Sequence, residues 1–304
     1  MKYKKKDPLV SIIMNCFNGE QYLHQAIQSV LAQTYQNWEI IFWDNKSSDK
    51  SEKIFKSYSD NRFHYFSSEK HTILYEARNY ALLRCNGELI SFLDVDDIWL
   101  PEKLRIQVAT FNDFNVGLSC GNYTKLNERK KNDINLKIQY HSLPQGKVLN
   151  ELFDDYFIHM STLMIRKKAL NGLEYSFDSR FHHIGDLEIV LRLCSNWKLA
   201  SVQEPIAYYR WHQNNNGYKD IVLLSDDFNI LYNEIKDNEE YNKLSNFHKF
   251  EYKVKLYNVL KLLYVGKKIR VFSEINSLKI KHRLKVLIAM FLPTKLIKIW
   301  IDRL

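Results

Sequence analysis

The chain is poor in cysteine and has no long apolar run. Its four cysteines, Cys16, Cys85, Cys120 and Cys194, stand far apart among 304 residues. So few exclude a disulfide scaffold, and gaps of this size exclude a short-range zinc cluster. Lone thiols of this kind fit a reducing compartment, where they pack as small apolar groups. The apolar stretch behind the basic start runs only from Leu9 to Met14, shorter than a signal-peptide core, with no small-residue cleavage site after it. The longest late uncharged run, Val286 to Thr294, is about half of a membrane span. There is no internal repeat and no low-complexity tract. The expectation is a cytoplasmic protein, with any membrane contact peripheral and on the inner face of the plasma membrane.

What is present is burial capacity. Apolar residues make up 45% and aromatics 14% of the chain, too much for a disordered polypeptide. The length allows about two domains. The formal charge of +9 is unevenly placed. From Tyr252 to Leu304 there are 13 Lys and Arg against 2 Asp and Glu, which leaves a net −2 on everything before. The positive excess therefore belongs to the tail, and nucleic-acid binding by the main body is not expected.

The first half alternates strand-like and helix-like segments. Leu9 to Met14, Trp38 to Trp43, Phe63 to Phe66 and Glu88 to Leu93 read as strands. Between them Tyr22, Ala26, Ile27, Val30 and Leu31 recur at helical spacing, Ser48 or Asp49 can cap a helix towards Tyr58, and Ile73 to Leu83 is again helical. Pro101 suits the first turn of a further helix. This order predicts an α/β fold, a Rossmann-like, mostly parallel, doubly wound sheet. In such sheets ligands sit beyond the carboxyl ends of the strands. Asn15 to Asn18, Asp44 and Asp94 to Asp97 fall at three such ends. Further on, Asn127 to Lys137 reads as an exposed loop, Asp186 to Cys194 as a helix, Leu199 to Val202 and Pro205 to Trp211 as strands. The pattern after Asn214-Asn215-Asn216-Gly217 is entirely helical, so the expected boundary separates a catalytic domain, 1–216, from a helical, basic extension, 217–304.

Asp94-Val95-Asp96-Asp97 crowds three carboxylates at a strand end, where they repel unless a cation or hydrogen-bond donors satisfy them. Mg²⁺ or Mn²⁺ would do so by bridging few protein ligands to phosphates; an acidic turn capping the helix at Pro101 is the plainer reading. Asp44 can accept hydrogen bonds from a base or ribose, or can form an Asx turn within Asp44-Asn45-Lys46-Ser47-Ser48-Asp49. Asp186 precedes an apolar helix and is either its cap or a general base. In Tyr209-Arg210-Trp211-His212, Arg210 offers a fork for phosphate and His212 a metal ligand, against an aromatic cluster with a packing role.

Together these segments resemble family 2 glycosyltransferases of the GT-A fold. Val10-Ser11-Ile12-Ile13-Met14-Asn15-Cys16-Phe17-Asn18 is similar to the family's first strand and Pro-Thr-Tyr-Asn turn. Asp44 to Asp49 is similar to its Asp-Asp-Gly-Ser-Thr-Asp segment. Ala77-Arg78-Asn79 and Gly87 through Asp97 resemble its Ala-Arg-Asn helix and the strand into the DXD motif, and Trp99-Leu100-Pro101-Glu102-Lys103-Leu104 matches the usual continuation. Asn15 stands for the common Pro, Asn45 for the second Asp of a pair, and Gly185 for the Glu before the base. Asn214 to Asn216 stand where a Ser is common.

The resemblance implies an inverting, metal-dependent transfer of a sugar from a nucleotide-sugar, UDP-linked by family habit, to a hydroxyl of a glycan or lipid-linked acceptor. It implies that Asp44 meets the nucleotide base, that Asp94 approaches the ribose or metal shell, and that Asp96 binds Mn²⁺ or Mg²⁺ at the diphosphate. Asn15, Phe17, Asn18 and Arg78 join the donor pocket, Arg210 and His212 lie near the diphosphate with His212 able to reach the metal, and Asp186 is the general base. Two other readings compete. A haloacid-dehalogenase phosphohydrolase also places Asp-x-Asp after an apolar strand, but Ile98 stands where its Thr or Val belongs. A non-catalytic nucleotide-sugar-binding subunit is kept open by Gly185. The tail mixes Leu, Ile, Val, Phe and Trp300 with Lys285, Lys295 and Lys298 over Leu284 to Ile301, as an interfacial helix on anionic lipid does; packing on the protein itself is the alternative.

Overall fold

The computed structural model describes residues 7–128, 138–212, 215, 220–293 and 296–297. Eight strands form one sheet in the order β3-β2-β1-β4-β7-β6-β8-β5. They are β1 (Val10–Cys16), β2 (Trp38–Asp44), β3 (Phe63–Ser67), β4 (Leu89–Phe92), β5 (Ile98–Trp99), β6 (Val116–Asn127), β7 (Met164–Arg166) and β8 (Lys198–Trp211). The helices are α1 (Leu23–Leu31), α2 (Ser51–Lys56), α3 (Leu74–Leu82), α4 (Lys103–Thr110), α5 (Leu149–Asp154), α6 (Lys167–Asn171), α7 (Gly185–Asn196), α8 (Ile221–Ile235), α9 (Glu239–Asn242), α10 (Phe247–Tyr264), α11 (Lys268–Glu274) and α12 (Ile280–Met290).

β1, β2, β3 and β4 run parallel, and β6 is parallel to β8, as the alternation of apolar runs and helices predicts. β7 is antiparallel to both β4 and β6, and β5 to β8, so the sheet is mostly parallel but mixed. The two late strands read from sequence are one strand, β8. Pro205 lies inside it, tolerated because the β6–β8 register shifts around Asn122, its partner. Pro101 precedes α4, whose N-cap is Glu102. Asn127 ends β6 rather than opening a loop; residues 129–137 of that expected loop lie outside the described residues.

Every residue of β2 and all of β1 except Asn15 are buried, which is why both read as unbroken apolar runs. α1 packs Leu23, Ala26, Ile27 and Val30 inward at helical spacing. Phe42 stacks on Phe55 at 4.2 Å between ring centroids, closing the core on that side. The amino ends of the strands are tied by a buried polar knot. Glu39 accepts from Ser11 Oγ (2.5 Å) and from the Asn86 N–H (2.7 Å), and Gly87 N–H donates to Ser11 Oγ (2.7 Å). Position 87 has room for nothing larger than glycine, since a Cβ there would lie 2.6 Å from Leu9 O and Ser11 N.

Burial alone would raise the Glu39 acid, but the Ser11 and Asn86 hydrogen bonds hold it below the usual range. A carboxyl lowered by folding adds stability above its unfolded pKa, and that contribution is lost as pH falls through the folded value. Glu39→Gln should therefore lower Tm at pH 7, and the gap to the parent protein should close only as pH falls below the usual carboxylate range, through the lowered folded value. Melting curves across this range check it; a constant gap would show that shape, not charge, sets the cost.

The chain divides into two compact units. One comprises Met1–Leu149, Phe157–Ser179 and Ile189–Asn215; the other comprises Asn150–Tyr156, Arg180–Glu188 and Asn216–Leu304. The second is helical. Asp220 caps α8 and Asn238 caps α9 through their side chains. Phe153 packs edge-on against Phe247 and Phe250. No described helix is long and apolar enough to cross a membrane. The expected tail helix begins earlier than Leu284 and ends at Met290, shortly before Pro293. Lys295, Lys298, Trp300 and Ile301 lie outside the described residues, as do Asn214 and Asn216.

Candidate active site

In the first unit the carboxyl ends of β1, β2 and β4 lie side by side, Cys16 opposite Asp44 and Ile13 opposite Phe92. The loops after β1 and β2 are laced together. Asn18 adopts a left-handed backbone (φ 54°), its N–H donates to Ser47 Oγ and its Oδ1 accepts from the Ser48 N–H (2.8 Å). Asp49 Oδ1 accepts from the Ser51 N–H (3.0 Å) at the start of α2, but the N-cap is Lys50, with no side-chain cap bond, so neither Ser48 nor Asp49 stands at the cap. Asn18 thus has a visible architectural task. Phe17 is half exposed and packs on His71 at 4.1 Å. Asp44 is buried, accepting from the Ser47 N–H (2.7 Å) and Tyr65 Oη (2.9 Å). Burial, then this bond to Asp44, raises the Tyr65 phenol. Asn15 and Trp43 are register partners, and Asn15 Nδ2 and Trp43 Nε1 are both buried without a hydrogen-bond partner.

The acidic turn after β4 is braced from three sides. Arg78, buried in α3, reaches Asp94 Oδ1 at 3.4 Å. Ser161 Oγ accepts from the Asp94 N–H (3.2 Å) and donates to Asp97 Oδ2 (2.5 Å), while Trp99 Nε1 donates to Ser161 O. Asp97 also accepts from the Arg210 N–H (3.0 Å). Burial first, then the charges of Asp96 and Asp94, push the Asp97 acid well above its ordinary range. Asp97 is thus the internal anchor, and Asp94 and Asp96, whose side chains are 39% and 28% exposed, are the pair presented outward. Burial and the neighbouring Asp94 raise the Asp96 acid too.

His212, just past β8, places Nε2 3.0 Å from Asp96 Oδ2, and its ring lies against Tyr22. Arg210 is almost fully buried. Its Nε donates to Asp96 O (2.8 Å), Nη1 to Glu128 Oε1 and Nη2 to Gln25 Oε1, with the guanidinium 4.5 Å over Tyr22. Tyr22 Oη in turn donates to Glu128 Oε2 (2.8 Å). The Tyr22 and Arg210 contacts outweigh burial and hold the Glu128 carboxyl below its usual range. Arg210 therefore works on the turn itself, holding Asp96 by its carbonyl and Asp97 by its carboxylate. Glu128, Tyr22, Gln25 and Ser161 were not visible as site residues in the sequence; the Arg210–Glu128 pair joins positions 82 apart.

Asp186 belongs to the second unit, in the first turn of α7, where its Oδ1 accepts from the Leu187 N–H (3.0 Å). The segment before it is clamped by Asp227 of α8. That buried carboxylate accepts from the backbone N–H groups of His182 (3.0 Å), His183 (2.6 Å) and Ile184 (3.2 Å). Among the described residues no three His, Cys, Asp or Glu side chains converge closely enough to hold a metal alone. A divalent ion at this turn would therefore need substrate oxygens among its ligands, the habit of Mg²⁺ and Mn²⁺ at diphosphates.

Residues 11–173 match the family model described as glycosyl transferase family 2. The chain belongs to glycosyltransferase family 2. Among curated family members, it is 34% identical over 171 residues to UDP-Glc:alpha-D-GlcNAc-diphosphoundecaprenol beta-1,3-glucosyltransferase WfgD of Escherichia coli, covering 56% of this chain and 65% of that protein. It is 37% identical over 179 residues to an uncharacterized glycosyltransferase of Haemophilus influenzae, covering 56% and 70%. In another such relative, of Rickettsia typhi, the match spans only 52% of the length. Solved structures that resemble 97% of the chain include two with bound sugar nucleotides. Staphylococcus aureus TarS with UDP-GlcNAc superposes with a TM-score of 0.67 at 17% identity, covering 97% of this chain and 89% of that one. The mannosyltransferase PcManGT of Pyrobaculum calidifontis, with GDP-Man and Mn²⁺, gives 0.61 at 16%, covering 97% and 88%. At these identities the likeness establishes the fold, which is GT-A, and the family makes this glycosyltransferase an enzyme of sugar transfer.

Proposed function

We propose that this enzyme moves a sugar from a UDP-linked donor to a hydroxyl of a glycan or lipid-linked acceptor, with inversion and with Mn²⁺ or Mg²⁺ bound by Asp96, Asp94 and His212. The observation that carries the reading is the outward pair Asp94 and Asp96, held by Arg78, Ser161 and Arg210 at the end of β4 with His212 3.0 Å from Asp96. A bound divalent ion would neutralise charge on the leaving diphosphate. Asp44, at the end of β2, would meet the nucleoside. The unpartnered Asn15 Nδ2 is a buried donor awaiting an acceptor, as expected of a nucleotide-lining group. Arg78 and Arg210 add positive potential at the turn.

In the transfer, the acceptor oxygen bonds to the anomeric carbon as the bond to the diphosphate oxygen breaks. The hydroxyl proton passes to the Asp186 carboxylate, and a nucleoside diphosphate leaves. One carboxylate base and a single displacement invert the anomeric centre. The name of the E. coli relative specifies UDP-Glc and a diphosphoundecaprenol-linked sugar; a lipid-linked acceptor of that class fits an enzyme working peripherally at the inner face of the membrane.

Incubating the protein with UDP-GlcNAc, UDP-Glc and GDP-Man, each with Mn²⁺ or with EDTA, tests this reading. Metal-dependent release of UDP, with product confirmed by mass spectrometry on a lipid-linked acceptor, is the expected result. A donor that binds but releases no diphosphate under any of these conditions would support the non-catalytic binding subunit that Gly185 allows.

A further inference from the structure

In the helical unit, α11 and α12 expose large apolar side chains to solvent. On α12, Ile280 (73% exposed), Leu284 (56%) and Ile288 (68%) recur every fourth residue, and Phe291 (85%) continues the row past its end. Val286, Ala289 and Met290 are the residues that α12 buries. The helix is therefore already docked on its own unit by one stripe and leaves a second unpartnered. α11 repeats this: Val271 is buried while Ile269 (89%) and Phe272 (57%) are exposed. Of the fifteen large apolar residues exposed in the described chain, eight lie in 265–296, so this is a concentration and not the usual scatter. Lys268 Nζ donates to Met290 O (2.6 Å), fastening the start of α11 to the end of α12.

The charge around these rows selects the occupant. Lys267, Arg270, Lys279, Lys281 and Lys285 are exposed, and Glu274 is the one acid between 265 and 293. His282, hydrogen-bonded to Tyr252, feels this field: after burial, the charges of Lys285, Lys281 and Lys279 lower its basicity. A second copy of the chain would bring the same cations against these, at a repulsive cost. We infer that α11 and α12 together form the face by which this enzyme docks on an anionic lipid bilayer, the apolar rows entering the headgroup boundary and the lysines meeting phosphate. This rests on the proposed lipid-linked acceptor and deepens it, since the docking element includes α11, ahead of the Leu284 to Ile301 segment, and does not need the residues after Pro293.

The experiment is flotation of the full chain with vesicles containing phosphatidylglycerol or only phosphatidylcholine, without any acceptor. The parent protein should float with the anionic vesicles and stay behind with the neutral ones. Ile269→Gln with Phe272→Gln, and separately Leu284→Gln with Ile288→Gln, should each weaken binding by at least about tenfold. Lys281→Glu with Lys285→Glu should do the same and remove the salt dependence. All are surface changes, so unchanged Tm and unchanged UDP release from soluble donor should accompany them. No binding by the parent protein, or equal binding by all variants, overturns the proposal. So does a dimer in analytical ultracentrifugation that the glutamine variants dissolve, which would assign the face to a second copy. Loss of UDP release in the parent with flotation intact would instead overturn the transfer reading alone.

Discussion

Asp96→Asn is expected to lower turnover about 10²–10³-fold, the scale of removing one fixed charge partner from a developing oxyanion, without lowering Tm. The split follows from the site's electrostatics. Asp96 is raised by burial and by Asp94, so its ionised form is a cost to the fold. A group whose acid is raised by folding destabilises above its unfolded pKa, so the neutral amide relieves a strain that grows with pH. The asparagine keeps the size of the side chain and a partner for His212. It loses the negative charge that a divalent ion needs. Donor turnover and melting temperature at pH 8 check both halves. Turnover within about threefold of the parent would remove Asp96 from the reaction, whatever the Tm.

Asp186→Asn is expected to cost about 10²–10⁴-fold in turnover, the usual worth of a positioned general base, with donor affinity unchanged. In the proposed transfer its carboxylate removes the proton of a poor nucleophile, whereas the donor would be held by groups on the β-strand ends. Turnover with acceptor, measured beside donor binding by calorimetry, separates the two. Near-parental turnover would remove Asp186 from the mechanism, and weakened donor binding would give it a positioning task instead. Asp227 offers a companion readout, because it holds the backbone on the amino side of Asp186 without being a candidate base.

The parts of this fold that were legible in the sequence are those set by local periodicity. β1, β2 and β4 are apolar runs that end at polar residues, and their adjacency places Asn15, Asp44 and Asp94 at neighbouring strand ends before any coordinates are known. The parts that were not legible depend on pairings across long stretches of chain. Glu128 reads as a loop charge until β6 and β8 are known to end together, at Asn127 and Trp211. Lys103 of α4 and Asp227 of α8 are both buried, which no local pattern of the sequence signals. Lys103 Nζ is satisfied by Ser91 Oγ (2.9 Å) and Gln107 Oε1 (2.7 Å), and Asp227 by backbone amides. β8 was divided because Pro205 breaks a strand pattern that a register shift in fact absorbs.

The grip of Asp227 on residues 182–184 has a practical corollary for engineering. Residues Asn150–Tyr156 and Arg180–Glu188 fold with the helices that follow Asn216 rather than with the sheet around them in the sequence. Grafting the C-terminal region of a relative onto this scaffold by a single crossover near position 216 would sever three amides from their acceptor. A working hybrid must exchange those two short inserts along with the helices, so recombination libraries for altered acceptor preference should carry three cassettes instead of one.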